Sequence, residues 1–246
     1  MNGAGMENGM EGRTAVVTGS SKGIGLAIAE AMVDAGMDVV ISARNAEEVE
    51  EAASRLNARG AGRAVGQTCD VRDAAEVARL VERAVAEFGG LDVLVNNAGV
   101  GGSAPVDQLS VEKWDQIIET NLSGVFYACR EAIPHLRRRG GGWIINIASL
   151  AGKQSMAGGG AYNASKFGLV GFSEALMLDV REDDIRVNYI MPGSVNTHFF
   201  EGGPRDENVW MLQPEDIAQT VMDLLRFPSR ALPSRIEIRP TRPPKK

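Results

Sequence analysis

An apolar run, Thr14-Ala15-Val16-Val17-Thr18, leads directly into Gly19-Ser20-Ser21-Lys22-Gly23-Ile24-Gly25, and a helical pattern continues to Ala35. That order restricts the fold strongly. Glycines let the backbone turn sharply and come close to a ligand, and the helix start offers unpaired N–H groups at the positive end of its dipole. A glycine turn alone is only a tight loop. Strand, glycines and helix in succession fit a βα unit that binds the pyrophosphate of a dinucleotide, lined by Gly19, Ser21, Lys22, Gly23, Ile24 and Gly25.

The rest of the chain keeps the same alternation of short β-branched runs with longer helical patterns, which builds a parallel sheet with crossover helices. Strands are expected at 14–18, 38–42, 63–68, 91–95, 143–147, 186–190 and 235–238, with helices at 24–35, 47–58, 74–88, 161–181 and 214–226 and one long helical pattern from about Val111 to Arg138. The fold class is therefore α/β, a single Rossmann-type doubly wound domain with a seven-stranded parallel sheet and helices on both faces. Residues 13–239 form this domain. Residues 1–12, rich in Gly, Asn and Glu, read as a flexible lead-in without a signal-peptide core. Residues 240–246, with three prolines and three basic residues, read as a loose tail.

Composition narrows the function classes. At 246 residues the chain buries roughly 70–75% of its unfolded surface, so its core needs no staples. The net charge of −6 argues against a nucleic-acid surface. Cys69 and Cys129 stand in no metal-ligand spacing, which favours a reducing, cytoplasmic setting. His135 and His198 are too distant in sequence for a zinc pair, and both read as surface or pocket-edge residues. No apolar run is long enough to span a bilayer.

Chemistry enters with Tyr162 and Lys166, which lie four apart and so share one helix face. A tyrosine ordinarily titrates near ~10, and lowering that by about three requires roughly 4 kcal/mol of preferential stabilisation of the phenolate. An adjacent ammonium is the expected source, and a tuned Tyr162 trades protons near neutral pH. Such pairs are common on exposed helix faces, so the pair gains meaning from Ser149, directly after the fifth strand, and from Asn121. Asn121 sits among Ile117, Ile118, Leu122, Val125 and Phe126, where an amide is costly unless bonded. A helix kink is the competing account of it.

With its TGxxxGxG turn, the chain resembles the classical short-chain dehydrogenase/reductase family from about Arg13 to Ile238. The resemblance extends to Asn96-Asn97-Ala98-Gly99 after the fourth strand and to Asn121, Ser149, Tyr162 and Lys166, which match the catalytic tetrad. It implies that Ser149 binds the substrate oxygen, Tyr162 transfers the proton, Lys166 holds the nicotinamide ribose, and Asn121 supports a proton relay. It also implies cofactor contacts from Asn97, Ala98 and Gly99, from Asp70 and Val71 on the adenine side, and from Pro192, Gly193, Val195 and Thr197 at the nicotinamide. A helix N-cap is an equal account of Asp70.

NADP(H) is the expected cofactor rather than NAD(H), because the second strand ends Ser42-Ala43-Arg44, with no acid to repel a 2′-phosphate and an arginine to bind it. Residues 193–212, with Phe199, Phe200, Trp210 and Met211, lie where the family's substrate lid falls; core packing is the competing account of Trp210 and Leu212. The expected activity is an alcohol dehydrogenase or carbonyl reductase acting on a small molecule. A 3-oxoacyl-carrier-protein reductase is the alternative, with Arg130, Arg137, Arg138 and Arg139 either docking the acidic carrier or forming a solvated helix end. A dinucleotide-sensing protein without chemistry is the other class. The small residues Ala164, Gly168, Gly171 and Ala175 beside Phe167, Val170 and Phe172 point to a homodimer or homotetramer.

Overall fold

The computed structural model describes residues 9–199 and 203–244; Phe200, assigned above to the lid, lies outside them. Seven parallel strands form one sheet in the order β3-β2-β1-β4-β5-β6-β7. They are β1 (Thr14–Thr18), β2 (Asp38–Ala43), β3 (Ala64–Thr68), β4 (Val93–Asn96), β5 (Gly142–Ile147), β6 (Ile185–Pro192) and β7 (Arg235–Ile238). The helices are α1 (Gly23–Asp34), α2 (Ala46–Asn57), α3 (Ala74–Phe88), α4 (Val111–Ile118), α5 (Gly124–Arg138), α6 (Gly160–Val180) and α7 (Pro214–Arg226). Among the described residues no helix is long and apolar enough to cross a membrane.

Side chains alternate across each strand, so the sheet feeds two cores. Val17, Val39, Ile41, Val95 and Ile145 meet α1, α2 and α7 through Ile28, Met32, Leu56, Ile217 and Val221. Val16, Val40, Leu94 and Ile144 meet α3, α5 and α6 through Leu80, Ala128, Leu136, Leu169 and Leu176 on the other face. The order reverses between β1 and β4, whose diverging connections open a crevice at the carboxyl ends of the strands.

One connection breaks the usual handedness. From β4 to β6 the chain steps steadily toward one sheet edge with α5 and α6 on the second face, and β7 continues the same way, yet α7 packs beside α1 on the first face. The β6-α7-β7 crossover therefore has the hand opposite to the near-universal one. To change faces, the segment after β6 must pass over the strand ends.

Two expectations change. Met10, in the supposed flexible lead-in, is buried against the first core, with Arg13 N donating to its carbonyl and Gly12 N donating to Gly36 O; an apolar side chain beside the α1–β2 turn has core to cover. The single helix expected over 111–138 is interrupted by a π-helical turn at Glu119–Ser123, whose cause lies in Asn121.

Candidate active site

The glycine-rich turn is shaped by contact with β4. Gly19 and Gly23 adopt left-handed φ of 63° and 60°, and a Cβ on Gly19 would lie 2.7 Å from the Ala98 Cα. A Cβ on Gly25 would collide with Asn97 Nδ2 and the Gly19 carbonyl oxygen. Asn97 clamps the turn by donating from Nδ2 to the Thr18 and Gly19 carbonyls, each at 2.9 Å. Thr18 Oγ1 accepts from the N–H groups of Asn97 and Ala98, both at 3.0 Å. Helix α1 then begins behind Lys22 with no side-chain cap and no acid in its first turn, so its leading N–H groups face an anion-sized opening. A cradle that any Cβ would fill, beside an uncapped helix, fits dinucleotide phosphates.

On the adenosine side, Arg44 is exposed at the end of β2. No acid stands at the end of β2 itself, but Glu48, in the first turn of α2, reaches the glycine turn. Its carboxylate accepts from Ser21 Oγ at 3.0 Å and from Lys22 Nζ at 3.3 Å, and these bonds, Ser21 first, hold the Glu48 carboxyl below its usual range. Asp70 is not a helix cap; Asp73 caps α3, accepting from Ala75 and Glu76 N–H. Asp70 instead accepts from the Arg72 guanidinium and backbone N–H, which keeps its carboxyl pKa low. Val71 is buried against Gly124.

The chemical residues meet on β5, α6 and the π-helical turn. Asn121 is fully buried. Its Oδ1 accepts from Val100 N at 2.8 Å, while Nδ2 donates to Val100 O at 2.9 Å and Ser165 Oγ at 3.0 Å. The amide that looked costly is thus satisfied by the loop after β4, and the extra residue of the π turn places it there. Ser149 stands two residues beyond β5 and caps a short 3-10 turn, its Oγ accepting from Ala151 N at 3.1 Å. Ser149 stands beside the Tyr162 hydroxyl and works to lower its pKa.

Lys166 is buried, donates from Nζ to the Ile147 carbonyl at 2.9 Å, and lies 5.9 Å from the centre of the Tyr162 ring. The expected depression of the Tyr162 pKa is absent in this arrangement. Burial raises it, with Ser149 pulling the other way, and burial lowers Lys166 to about 8. The ammonium is spent on a backbone carbonyl, and a dry pocket disfavours phenolate and ammonium alike.

Several positioning residues escaped the sequence reading. Asn163 Nδ2 donates to the Ala151 and Gln154 carbonyls at 2.7 and 3.0 Å, and its Oδ1 accepts from Met156 N at 3.1 Å. It pins the loop after Ser149 to the helix bearing Tyr162. Ser165 bridges the same helix to Asn121. Below them, Asn96 donates to Asn146 Oδ1 at 2.8 Å, and Asn146 donates to Ser173 Oγ at 2.9 Å, a buried polar ladder across β4, β5 and α6. The available signal was polar side chains recurring on otherwise apolar faces.

After β6, Pro192 and Gly193 lead into Val195, which is buried and bridges Leu212. Thr197 is buried beside Gly23, 3.6 Å from where its Cβ would stand, so this segment reaches back across the crevice to the glycine turn. Leu212 belongs to the core, whereas Trp210 lines a separate depression with Pro240 and Arg242. Phe199 sets its ring 5.8 Å from that of Tyr162, inclined at 53°. The arginines proposed for carrier docking lie elsewhere. Arg139 pairs with Asp92 and Arg137 with Asp183, at the amino ends of β4 and β6, because α5 runs antiparallel to the strands and carries its C-terminus to the far edge.

Residues 13–208 match the model of the short chain dehydrogenase family. The D-threitol dehydrogenase of Mycolicibacterium smegmatis is 41% identical over 209 residues, covering 83% of this chain and 80% of that one. A putative ketoacyl reductase of Streptomyces coelicolor is 41% identical over 189 residues, covering 76% and 72%. Among solved structures, a metagenomic short-chain oxidoreductase in complex with NADP superposes with a TM-score of 0.84 at 35% identity, covering 96% of this chain and 100% of the other. With the match spanning the glycine turn, Asn121, Ser149, Tyr162 and Lys166, the chain belongs to the short-chain dehydrogenase family of oxidoreductases.

Proposed function

We propose that this protein is an NADP(H)-dependent oxidoreductase that interconverts a secondary alcohol and a ketone, with Tyr162 as general acid and base. The observation that carries the reading is the placement of Ser149 and Lys166 around Tyr162, with Lys166 Nζ 5.9 Å from the centre of its ring and bonded to the Ile147 carbonyl, at the same strand ends as the uncapped start of α1. When bound, the nicotinamide supplies or accepts the hydride. Ser149 and Tyr162 then hold the substrate oxygen between two hydroxyls, and Tyr162 gives or takes its proton. Lys166 serves the ribose hydroxyls, and in exchanging the Ile147 carbonyl for them it favours the Tyr162 phenolate. Asn121 keeps the loop after β4 in register with α6. Arg44 and the NADP held by the metagenomic relative support NADP(H).

The names of the relatives span a polyol and a ketoacyl group, so a 3-oxoacyl-carrier-protein reductase is the second reading, favoured by the Streptomyces relative. Arg137 and Arg139 do not support it, since their pairs with Asp183 and Asp92 lie at the amino ends of β6 and β4. One screen separates the readings: NADPH oxidation with small ketones, diketones, keto acids and acetoacetyl thioesters, run beside Tyr162→Phe. We expect turnover, with the variant slower by about 10²- to 10⁴-fold. Tight NADPH binding with no turnover across the panel returns the protein to the sensing class, and near-wild-type activity of Tyr162→Phe removes the tyrosine from its role.

A further inference from the structure

We propose that Glu48 sets how strongly this enzyme distinguishes NADPH from NADH, by holding a carboxylate against the two side chains, Ser21 and Lys22, that would otherwise serve the 2′-phosphate. The inference rests on the NADP(H) reading of the site and goes beyond it, since Arg44 alone points to a plain preference for NADPH.

Glu48 follows the cap of α2, where Asn45 accepts from the Glu47 and Glu48 N–H groups. An acid is favoured there by the helix dipole. Its carboxylate turns toward α1, taking Ser21 Oγ on one oxygen at 3.0 Å and Lys22 Nζ on the other at 3.3 Å. The groove between the two helices, about 260 Å³, is lined by Lys22 and Arg55, by Glu48 and Glu51, and by His198 from the segment after β6. Arg55 is paired with Glu30, so both cations of the groove are already matched by carboxylates. Arg44, at the end of β2, is left as the chief anchor for a phosphate.

The two cofactors meet this arrangement differently. A phosphate monoester brings about −1.5 to −2 charges and must share the approach with the Glu48 carboxylate, which also occupies Lys22. The ribose 2′-hydroxyl of NADH instead donates to carboxylates. Glu48 therefore weakens NADPH and tolerates or supports NADH. Both effects narrow the ratio of affinities.

The test is the dissociation constant of each reduced cofactor for the full chain, read by nicotinamide fluorescence, in wild type, Glu48→Gln and Glu47→Gln. The last makes the same change of net charge one residue away on an exposed side chain. In Glu48→Gln we expect NADPH to bind about three- to tenfold tighter, with NADH unchanged or weaker. Glu47→Gln should keep the ratio within about twofold of wild type. An unchanged ratio in Glu48→Gln, or an equal change in Glu47→Gln, overturns the inference. The underlying reading fails separately, by wild type binding NADH more tightly than NADPH; a rise of the NADPH:NADH ratio in Glu48→Gln would then still uphold the role of Glu48.

Discussion

The carboxamide of Asn121 and the hydroxyl of Ser165 are joined at 3.0 Å, which ties the π-helical turn to the helix carrying Tyr162 and Lys166. Because Asn121 also bonds both backbone groups of Val100, one side chain fixes three elements of the site.

Asn121→Leu should cost about 2–4 kcal/mol of stability, since the N–H and carbonyl of Val100 lose their partner in a partly buried loop. Urea unfolding measures this directly. Turnover should fall further than cofactor affinity, because Ser165, the other partner of Asn121, lies on the helix that carries Tyr162 and Lys166. A loss under about 0.5 kcal/mol, the size usual for a surface substitution, would contradict the buried geometry.

The buried ammonium of Lys166 gives a signed pH effect. Its pKa is about 8 in the fold against 10.5 as its ordinary value. Between those values the unfolded chain binds the extra proton, so this group's contribution to stability rises with pH through that window and is at its most unfavourable below pH 8. The unfolding free energy of wild type minus that of Lys166→Met should climb by on the order of 3 kcal/mol across the window. Taking the difference cancels Cys69 and Cys129, whose burial pushes both thiols up to about 12 and acts with the opposite sign above pH 9. A flat difference between pH 8 and 10.5 would show Lys166 to be hydrated.

Gly25→Ala puts a methyl group into Asn97 Nδ2 and the Gly19 carbonyl, the two groups whose hydrogen bond clamps the glycine turn. The variant should keep its far-ultraviolet circular dichroism while NADPH affinity drops by about thirtyfold or more, which corresponds to about 2 kcal/mol. Equal affinity in wild type and variant would show that the cradle is not where the phosphates bind.

The neighbouring helices α5 and α6 expose Phe126, Phe167 and Leu178, and the rings of Phe126 and Phe172 meet edge-on at 6.4 Å. Gly171 opens onto empty space, while Gly168 is already covered by Leu122. We expect a homo-oligomer formed through this face, with Phe167→Glu shifting it to monomer in light scattering at micromolar concentration. A monomeric wild type would remove the prediction.

The strands and the glycine turn were legible because their signals are local. Short β-branched runs such as Val16-Val17 and glycines at fixed spacing are set by backbone sterics within a few residues. The π-helical turn was not, since apolar residues continue at helical spacing through Glu119–Ser123 and only the distant Val100 reveals the bulge. Glu48 was missed for a similar reason, as its partners lie 26 and 27 residues away. Asn163 carries no local signal, because the Ala151, Gln154 and Met156 backbone groups it bonds lie 7 to 12 residues away. The direction of the Tyr162 pKa shift depended on where Lys166 spends its protons, which is a matter of burial rather than spacing.

The bridge between Val195 and Leu212 brings together the two ends of the segment that follows β6. Asn196 N donates to Leu212 O and Leu212 N to Ser194 O, at 2.8 and 3.0 Å, so the two ends are held to each other whatever the length of chain between them. Such a clasp separates the length and side chains of the intervening segment, where Phe199 meets Tyr162, from the position of its two ends on the sheet.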